Sequence, residues 1–192
     1  MSGDTAVGAP PTRRDAEATK ASILRATRKL LARRPRADIT LKEIAERVGV
    51  SPPLILKYFG SKDGLFSHVV SFEADAPALF DAPLEDLGRH LVRHVLLSQT
   101  QQDADPILRI AFAPLHGPHG DELRANFRTQ ITERLADRLP GPDPHLRAEL
   151  AVATLLGLGV MYGIARAPHV RATPIDELAN RYGPLIQGQL TP

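Results

Sequence analysis

Lysine and arginine are in excess in one part of this sequence, and such a distribution is one that could bind negatively charged groups. Residues 1–67 contain 13 Lys and Arg against 7 Asp and Glu, a net charge of +6, whereas residues 68–192 contain 11 against 15, a net charge of −4. A basic surface on a small domain neutralises nucleic-acid phosphates and releases their counterions. It also occurs as an ordinary solvated helix face, so charge leaves both interpretations open. All five lysines lie in the basic part, namely Lys20, Lys29, Lys42, Lys57 and Lys62.

The histidines have the opposite distribution, since all seven lie beyond residue 67. His90 and His94 are four residues apart, and His116 and His119 flank a Gly-Pro pair. Such spacings can ligate a metal ion, but the sequence has no HExxH motif and no cysteine that would complete a zinc site. We therefore interpret these histidines as the polar edge of a core or of a ligand pocket, and predict neither a metal nor a cofactor.

The composition excludes several function classes. The chain contains no cysteine, which rules out disulfides, cysteine zinc sites and thiol nucleophiles and is typical of the reducing cytoplasm. No paired carboxylates, Ser/His/Asp arrangement or glycine-rich phosphate loop is recognisable. The first residues, MSGDTAVGAPPTRRD, lack the apolar stretch of a signal peptide. These observations predict a cytoplasmic protein that is not an enzyme.

The helices that would position the cations begin after an N-terminal segment in which apolar residues have no regular spacing. Residues 1–14 are rich in Gly, Ala, Thr and Pro and predict a disordered tail. From Asp15 onwards, apolar residues such as Ile23, Ala26 and Leu30 recur at helical spacing, while basic residues occupy the other faces. This pattern predicts an amphipathic helix that ends before Pro35.

A second, shorter helix follows at TLKEIAERVG, residues 40–49. Thr40 and Glu43 have the spacing of a capping box, in which the Thr hydroxyl accepts from a first-turn amide while the Glu reaches back to the cap. Ile44 and Ala45 belong to its predicted buried stripe. Gly49 stands where a residue in the left-handed conformation would end the helix.

A third helix is predicted immediately afterwards. Ser51 can cap it, and Pro52 and Pro53 occupy first-turn positions whose amides have no intrahelical partner. Gly60 ends this helix, and Ser61 is the predicted cap of a fourth. The order of helix, tight turn and helix is that of a DNA-binding helix-turn-helix, whose second helix presents its N-terminal side to the major groove. A helical hairpin with no DNA-binding role has the same capping signals.

Residues 39–66, ITLKEIAERVGVSPPLILKYFGSKDGLF, resemble the DNA-binding signature of TetR-family transcriptional regulators. The resemblance covers about residues 20–67, including the basic first helix, the GVS turn and the join to the fourth helix. It implies a homodimer whose N-terminal domains bind successive major grooves of a palindromic operator. It also implies C-terminal domains that dimerise and enclose a pocket for an effector. The predicted function is a transcriptional repressor released from DNA by a small apolar or aromatic effector, with an activator or an architectural DNA-binding protein without an effector as the alternatives.

The resemblance also assigns roles to residues. Thr40 corresponds to a phosphate contact and Lys62 to a phosphate clamp, while Lys57 is the preferred specificity residue because lysine can reach guanine O6 and N7. Two assignments stay open, since Lys42 fits a DNA contact or a solvated lysine and Tyr58 fits a DNA contact or a core residue. The complete predicted DNA-binding set is Thr40, Lys42, Ser51, Pro52, Pro53, Leu54, Lys57, Tyr58 and Lys62.

One residue departs from the family pattern. Most members have Tyr at the position of Leu56, and that Tyr commonly bonds a phosphate. Leu has no group that could do so, and one backbone contact of the family is therefore in doubt here, with Tyr58 and Lys57 as candidates to replace it.

Beyond residue 67 the sequence predicts only helices, separated by Pro, Gly or acidic breaks. A buried strand at Val69–Phe72 or Leu155–Val160 is the alternative, but neither segment has a hairpin partner. The predicted fold class is therefore all-α with about nine helices, divided into a tail at 1–14, a three-helix helix-turn-helix domain at 15–67 and an effector-binding and dimerisation domain at 68–192. The predicted helical spans from the fourth helix onwards are 62–80, 84–101, 104–114, 119–139, 144–166 and 175–190.

Two sets of residues in the second domain are candidates for function. The apolar run Leu150–Ala165 is shorter than the roughly 20 residues of a membrane span, so it predicts a buried helix, with a membrane anchor as the alternative. Its glycines permit close helix approach, and it resembles the penultimate helix that packs against the partner in family dimers. The predicted dimer contacts are Leu156, Gly157, Val160, Ile175, Leu178 and Tyr182.

The predicted walls of an effector pocket, each of which also fits a plain core position, are Phe112, His116, Met161 and Tyr162, with His90 or His94 nearby. The fourth helix, from Lys62 to about Phe80, would carry the response to the DNA-binding domain.

Overall fold

The computed structural model describes residues 13–31, 34–100, 110 and 118–191, and within these ranges all regular structure is helical. Val69–Phe72 and Leu155–Val160 contain no strand, so the strand alternative is wrong. The chain forms two compact units, one ending at Val69 and the other beginning at Val70.

The first unit contains a core built from the predicted apolar stripes. Its helices are α1 (Arg13–Leu31), α2 (Leu41–Val48), α3 (Pro52–Phe59) and α4 (Lys62–Val70), with a 3-10 turn at Arg36–Asp38. Because α1 begins at Arg13, the last two residues of the predicted tail are helical, while residues 1–12 lie outside the described residues. The buried core residues are Ile23, Leu30, Ile39, Ile44, Ala45, Ile55, Phe59, Leu65 and Phe66.

The helix ends of this unit follow most of the predicted signals. Thr40 caps α2, because its hydroxyl accepts from the amide of Glu43 at 3.2 Å. Gly49 ends α2 with φ 75° and Gly60 ends α3 with φ 74°, a backbone region that glycine adopts without steric cost. Ser61 caps α4, since its Oγ accepts from the amide of Gly64 at 2.9 Å.

Two capping predictions are wrong. Ser51 makes no side-chain cap, because the two prolines after it have no amide and the first amide of α3, that of Leu54, donates to the Ser51 carbonyl at 3.0 Å. Glu43 does not return to the cap of α2. Its carboxylate instead accepts from Arg34 and Arg47, and the hydrogen bond from Arg34 holds the pKa of Glu43 below its ordinary value.

The second unit confirms four of the predicted helical spans. Its helices are α5 (Ala76–Leu79), α6 (Leu87–Thr100), α7 (Pro118–Phe127, continued by a π-helical segment Arg128–Glu133 and by Arg134–Ala136), α8 (Pro144–Gly159, continued by a π-helical segment Val160–Ile164), α9 (Pro168–Ala172) and α10 (Ile175–Leu190). The sequence did not predict α9. The predicted helix at 104–114 lies outside the described residues, except for Ile110, which is helical and packs against the core.

The prediction of one helix over residues 62–80 is wrong. α4 ends at Val70, and the chain bends before α5 begins at Ala76. Side chains of α7 stabilise this bend. Gln130 accepts from the amide of Phe72 at 2.5 Å, and Asn126 donates to the carbonyl of Val70 at 3.3 Å. The buried Phe72 ring meets Phe127 edge to face, so burial of this aromatic side chain favours the break over a continuous helix.

α6 and α10 cross with their backbones in close approach. A Cβ atom added at Gly88 would lie 2.5 Å from the carbonyl oxygen of Gly183, so only glycine fits there. Gln187 completes the crossing, because it accepts from the amide of Gly88 at 2.9 Å and donates to the carbonyl of Leu84 at 2.8 Å. This crossing therefore joins the 3-10 turn before α6 (Leu84–Asp86) to α10.

Arg147 joins three parts of the second unit through one guanidinium group. Its Nε donates to the carbonyl of Gln189 at 2.8 Å and its Nη2 to that of Leu190 at 2.7 Å. Its Nη1 donates to the carbonyls of Pro140 at 2.6 Å and Pro142 at 3.1 Å. The C-terminal end of α10 and the turn before α8 are thus satisfied by a single partly buried cation.

We expect Arg147→Met to lower the free energy of unfolding by about 2–3 kcal/mol, because hydrogen bonds to a charged group are lost and partly buried carbonyls lose their donor. Urea denaturation measures this change. Arg181→Met is the matched control, since Arg181 forms only an exposed ion pair with Glu177 and its loss should cost less than about 1 kcal/mol. Equal effects of the two substitutions would contradict the role assigned to Arg147.

Candidate nucleic-acid interface and dimer surface

α3 has one side in the core and one side in solvent. Ile55 and Phe59 are buried, whereas Pro53, Leu56 and Lys57 are exposed. This division follows from helical spacing, because residues three or four apart share a side: Ile55 and Phe59 are four apart, and Leu56 and Lys57 are three and four residues after Pro53. Pro52 and Leu54, also predicted to contact DNA, are partly buried, and Ser51 is exposed at the N-terminal end. The predicted specificity residue is therefore on the accessible face.

The first residues of α2 are also accessible. Thr40 is exposed even though its hydroxyl serves as the helix cap, so a second hydrogen bond to that oxygen is sterically open. The Lys42 side chain is 82% exposed and lies 4.0 Å from the carboxylate of Glu46. A weak exposed pair of this kind leaves the lysine free to exchange partners, so both interpretations of Lys42 are compatible with its position.

Tyr58 belongs to the edge of the core rather than to the exposed face. Its ring is partly buried against the core and meets Phe59 edge to face, with a centroid distance of 6.4 Å. The Lys20 ammonium lies 5.6 Å from the same ring, a favourable cation–π distance. The Tyr58 ring therefore packs against the core, as one of the two interpretations proposed. A DNA contact by Tyr58 remains a prediction.

The backbone is tightly packed where α3 is joined to α4, and it leaves no room for a side chain at Gly64. A Cβ at Gly64 would lie 2.2 Å from the carbonyl oxygen of Phe59, so glycine is required in the first turn of α4. Lys62 precedes it, and its ammonium lies 5.8 Å from the Phe66 ring centroid. The tight turn holds Lys62 at a defined place beside the end of α3. This requirement for glycine at position 64 was not predicted from the sequence, because it depends on the close approach of the Phe59 carbonyl.

Some carboxylates among the described residues of the first unit are paired with arginines. Glu43 is engaged by Arg34 and Arg47, and Asp63 by Arg36. Among the described residues, no carboxylate forms an ion pair with Lys57. The positive charge at the exposed face of α3 is thus not compensated locally.

A basic groove adds to the positive surface of the first unit. It lies between α1 and α2, is open to solvent, has a volume of about 400 Å³ and includes Arg25, Lys29 and Arg47 in its lining. Together with the exposed lysines of α2 and α3, it supports the interpretation of the basic first part as a nucleic-acid footprint.

His90 and His94 form a stacked pair on α6. Their ring centroids are 5.9 Å apart and the planes are inclined by 28°. His90 Nε2 lies 3.0 Å from the carbonyl oxygen of Ala78. Burial lowers the pKa of the half-buried His94, and His90 lowers it further, while Asp75 opposes the shift. His94 is therefore held towards its neutral form, in which it can both donate and accept a hydrogen bond.

The other predicted pocket residues do not form one described cluster. Phe112 and His116 lie outside the described residues. Tyr162 is buried at 7% exposure with the Arg171 guanidinium 5.2 Å from its ring. Met161 is 46% exposed and points to a different side of the π-helical segment. α6 contacts this segment, which brings the helix of the histidine pair next to that of Tyr162.

α8 carries a continuous apolar stripe on its exposed side. Its members are three or four residues apart, which places them on one helix face, and they are Leu146, Leu150, Ala153, Gly157, Met161 and Ile164. The opposite side, including Ala151 and Leu155, is buried in the core. The predicted buried helix is therefore buried on one side only, because α8 has two apolar sides and only one is covered.

The length and composition of Pro144–Ile164 also match a membrane span, and it is the one such helix in the described part of the chain. Core helices of soluble proteins match the same criteria. The burial of one side of α8 among the other helices of the second unit favours this core interpretation.

The predicted dimer contacts fall into three groups by exposure. Gly157 is exposed, and a Cβ added there would meet no atom within 4 Å, so the space beside it is open. Leu156, Val160, Ile175 and Tyr182 are only partly exposed, and Leu178 is buried in the core of its own unit. Leu178 thus has no surface for a partner. Four further large apolar side chains are exposed but are not among the predicted contacts, namely Leu146, Leu150 and Ile164 on α8 and Leu185 on α10. Leu150 and Ile164 lie in the apolar run for which partner packing was predicted.

Comparisons with known proteins agree with this organisation. Residues 23–69 match the family described as bacterial regulatory proteins, tetR family, and residues 85–190 match the tetracyclin repressor-like C-terminal domain. An HTH-type transcriptional repressor of Mycobacterium tuberculosis is 34% identical over 171 residues, which cover 84% of this chain and 81% of that protein.

Solved structures show the same fold. A TetR-family regulator from Streptomyces coelicolor superposes with a TM-score of 0.54 at 24% identity, covering 94% of this chain and 99% of that one. Salmonella enterica GusR superposes with a TM-score of 0.61 at 22% identity, covering 90% and 95%. The two domains thus define a helix-turn-helix transcriptional regulator. The chain belongs to the TetR family, whose members bind DNA and dimerise.

Proposed function

We propose that this regulator is a cytoplasmic repressor that binds a palindromic operator as a two-fold dimer. The observation that carries the proposal is the exposed side of α3, where Lys57 stands uncompensated beside Pro53 and Leu56 on a helix held at both ends by tight turns. A helix presented in this way enters the major groove, and lysine there can bond guanine O6 and N7.

Selection of bound genomic fragments followed by footprinting tests the proposal. A repressor should protect a short palindrome, because two copies of α3 related by a two-fold axis read inverted half-sites. Protection without sequence preference would instead favour an architectural DNA-binding protein. A palindrome placed so that binding recruits polymerase and raises transcription would favour an activator.

Lys57 and Lys62 should respond differently to substitution. Lys57→Ala should cost roughly 1–3 kcal/mol of operator binding and relax one base position, because a base-edge contact is lost. Lys62→Ala should weaken binding to all sequences and lower the slope of log affinity against log salt by about one unit, because a phosphate contact is lost. Fluorescence anisotropy at several salt concentrations measures both effects.

The matched control for these substitutions is Arg181→Ala, which removes one exposed cation from the second unit. It should leave the operator affinity nearly unchanged. If neither lysine variant differs from this control, the assignment of the DNA-binding surface is refuted.

The exposed stripe on α8 supports the dimer. An apolar face of this length on a soluble helix is typical of a partner-binding surface, and α10, which packs against α8, adds the exposed Leu185. Gly157 in the middle of the stripe permits close approach of a second helix. Leu156, by contrast, packs partly against the core of its own unit, so changing it would disturb folding as well as association.

We expect Leu150→Arg to produce a monomer, because it places a charge in the middle of the proposed interface. Sedimentation velocity at micromolar concentration measures the change, and operator affinity should fall with it because one half-site alone binds weakly. Leu97→Arg is the control, since Leu97 is 39% exposed and belongs to α6 rather than to the stripe. A monomeric wild type would contradict the dimer itself.

A small apolar or aromatic effector is the second part of the proposal. The supporting observation is the half-buried pair of His90 and His94, whose helix contacts the segment carrying Tyr162. A neutral His94 can hydrogen-bond a ligand that apolar side chains otherwise enclose. Such an effector releases DNA only if it binds the DNA-incompetent conformation more tightly.

A thermal-shift screen of apolar metabolites and drugs, followed by an operator-release assay, tests the effector. His94→Leu should weaken the response to a hit, because the hydrogen bond is lost. His145→Leu should not, because His145 is exposed at the start of α8. A ligand that raises the melting temperature and leaves operator affinity unchanged would contradict the coupling.

A further inference from the structure

Leu56 is an apolar side chain in an unusual position. At 41% exposure, it is the only exposed large apolar side chain among the described residues of the first unit. It lies on the same side of α3 as Pro53, three residues earlier, and next to Lys57. The core of the unit does not use it, since Ile55, Phe59 and the partly buried Tyr58 supply the contacts of α3 with that core.

The chemistry of Leu56 limits what it can recognise. Its side chain has no hydrogen-bond donor or acceptor, so it has no polar contact to offer a phosphate or a base edge. The only apolar group that the major groove offers is the C5-methyl group of thymine. We propose that Leu56 reads a thymine methyl group in each half-site of the operator. This inference depends on the proposed function, because it assumes that α3 occupies the major groove.

The position of the thymine relative to the other contact follows from helix geometry. Consecutive residues of an α-helix differ by about 1.5 Å along its axis, whereas base pairs are about 3.4 Å apart. Leu56 and Lys57 are therefore close enough to reach neighbouring base pairs, since a thymine and a guanine always belong to different base pairs. The half-site should contain a thymine whose methyl group matters, in a base pair adjacent to that of the guanine contacted by Lys57.

Replacing single thymines by deoxyuridine tests the inference directly, because that change removes the methyl group and leaves every hydrogen-bonding group in place. For wild-type protein, one thymine in each half-site should show a loss of affinity of about threefold to fivefold, the effect of exposing one buried methyl group. The other thymines should show little effect. Anisotropy titrations of the dimer with a series of singly substituted operators measure each position.

Leu56→Ala should abolish this discrimination between thymine and uracil, because alanine does not extend far enough to contact the methyl group. The variant should fold, since the position is exposed and alanine is the best helix former; thermal unfolding checks this. Lys57→Ala is the matched control. It should weaken binding and relax the guanine position while keeping the full discrimination between thymine and uracil.

Two results would overturn the inference while leaving the proposed function intact. Wild-type protein that binds its operator equally well after every thymine-to-uracil change contradicts a methyl contact. Leu56→Ala protein that keeps the full discrimination assigns the methyl contact to another residue. If the wild type selects no DNA sequence, that result contradicts the proposed function. It also contradicts the proposed contact between Leu56 and thymine, which depends on that function.

Discussion

The first unit depends on the burial of Ile55 and Phe59. α3 has eight residues, too few for a helix to be stable alone in water, so contacts with the core hold it together. Those same contacts decide its orientation. With Ile55 and Phe59 inside, helical geometry leaves Pro53, Leu56 and Lys57 outside. The chemistry of the exposed surface therefore follows from which two side chains are buried.

Turns at both ends make this orientation rigid. Gly49 and Gly60 both have a positive φ, which favours glycine, and Gly64 lies so close to Phe59 that any side chain would collide with the backbone. Thr40 and Ser61 satisfy the amides that the short helices α2 and α4 leave unpaired. A surface that distinguishes base pairs must hold its side chains in a defined geometry, and these turns supply that geometry locally.

In the second unit, the other helices cover one apolar side of α8 and leave the other side accessible. The close crossing of α6 and α10 at Gly88 and Gly183 brings α10 against the core, and Arg147 ties the end of α10 to the start of α8. The covered side is complete in a single chain. The stripe containing Leu150 stays exposed in a single chain, and the proposed dimer would bury it.

The sequence by itself determined the helical class, the order of the first four helices and most of their ends, because caps, left-handed glycines and apolar spacing are local signals. It did not determine that α4 ends at Val70, since that break depends on Gln130 and on the burial of Phe72, far apart in sequence. Nor did it show that Leu178 is buried while Leu150 is exposed. Apolar spacing shows that a helix has an apolar side, but only the packing of other helices decides which apolar side is covered.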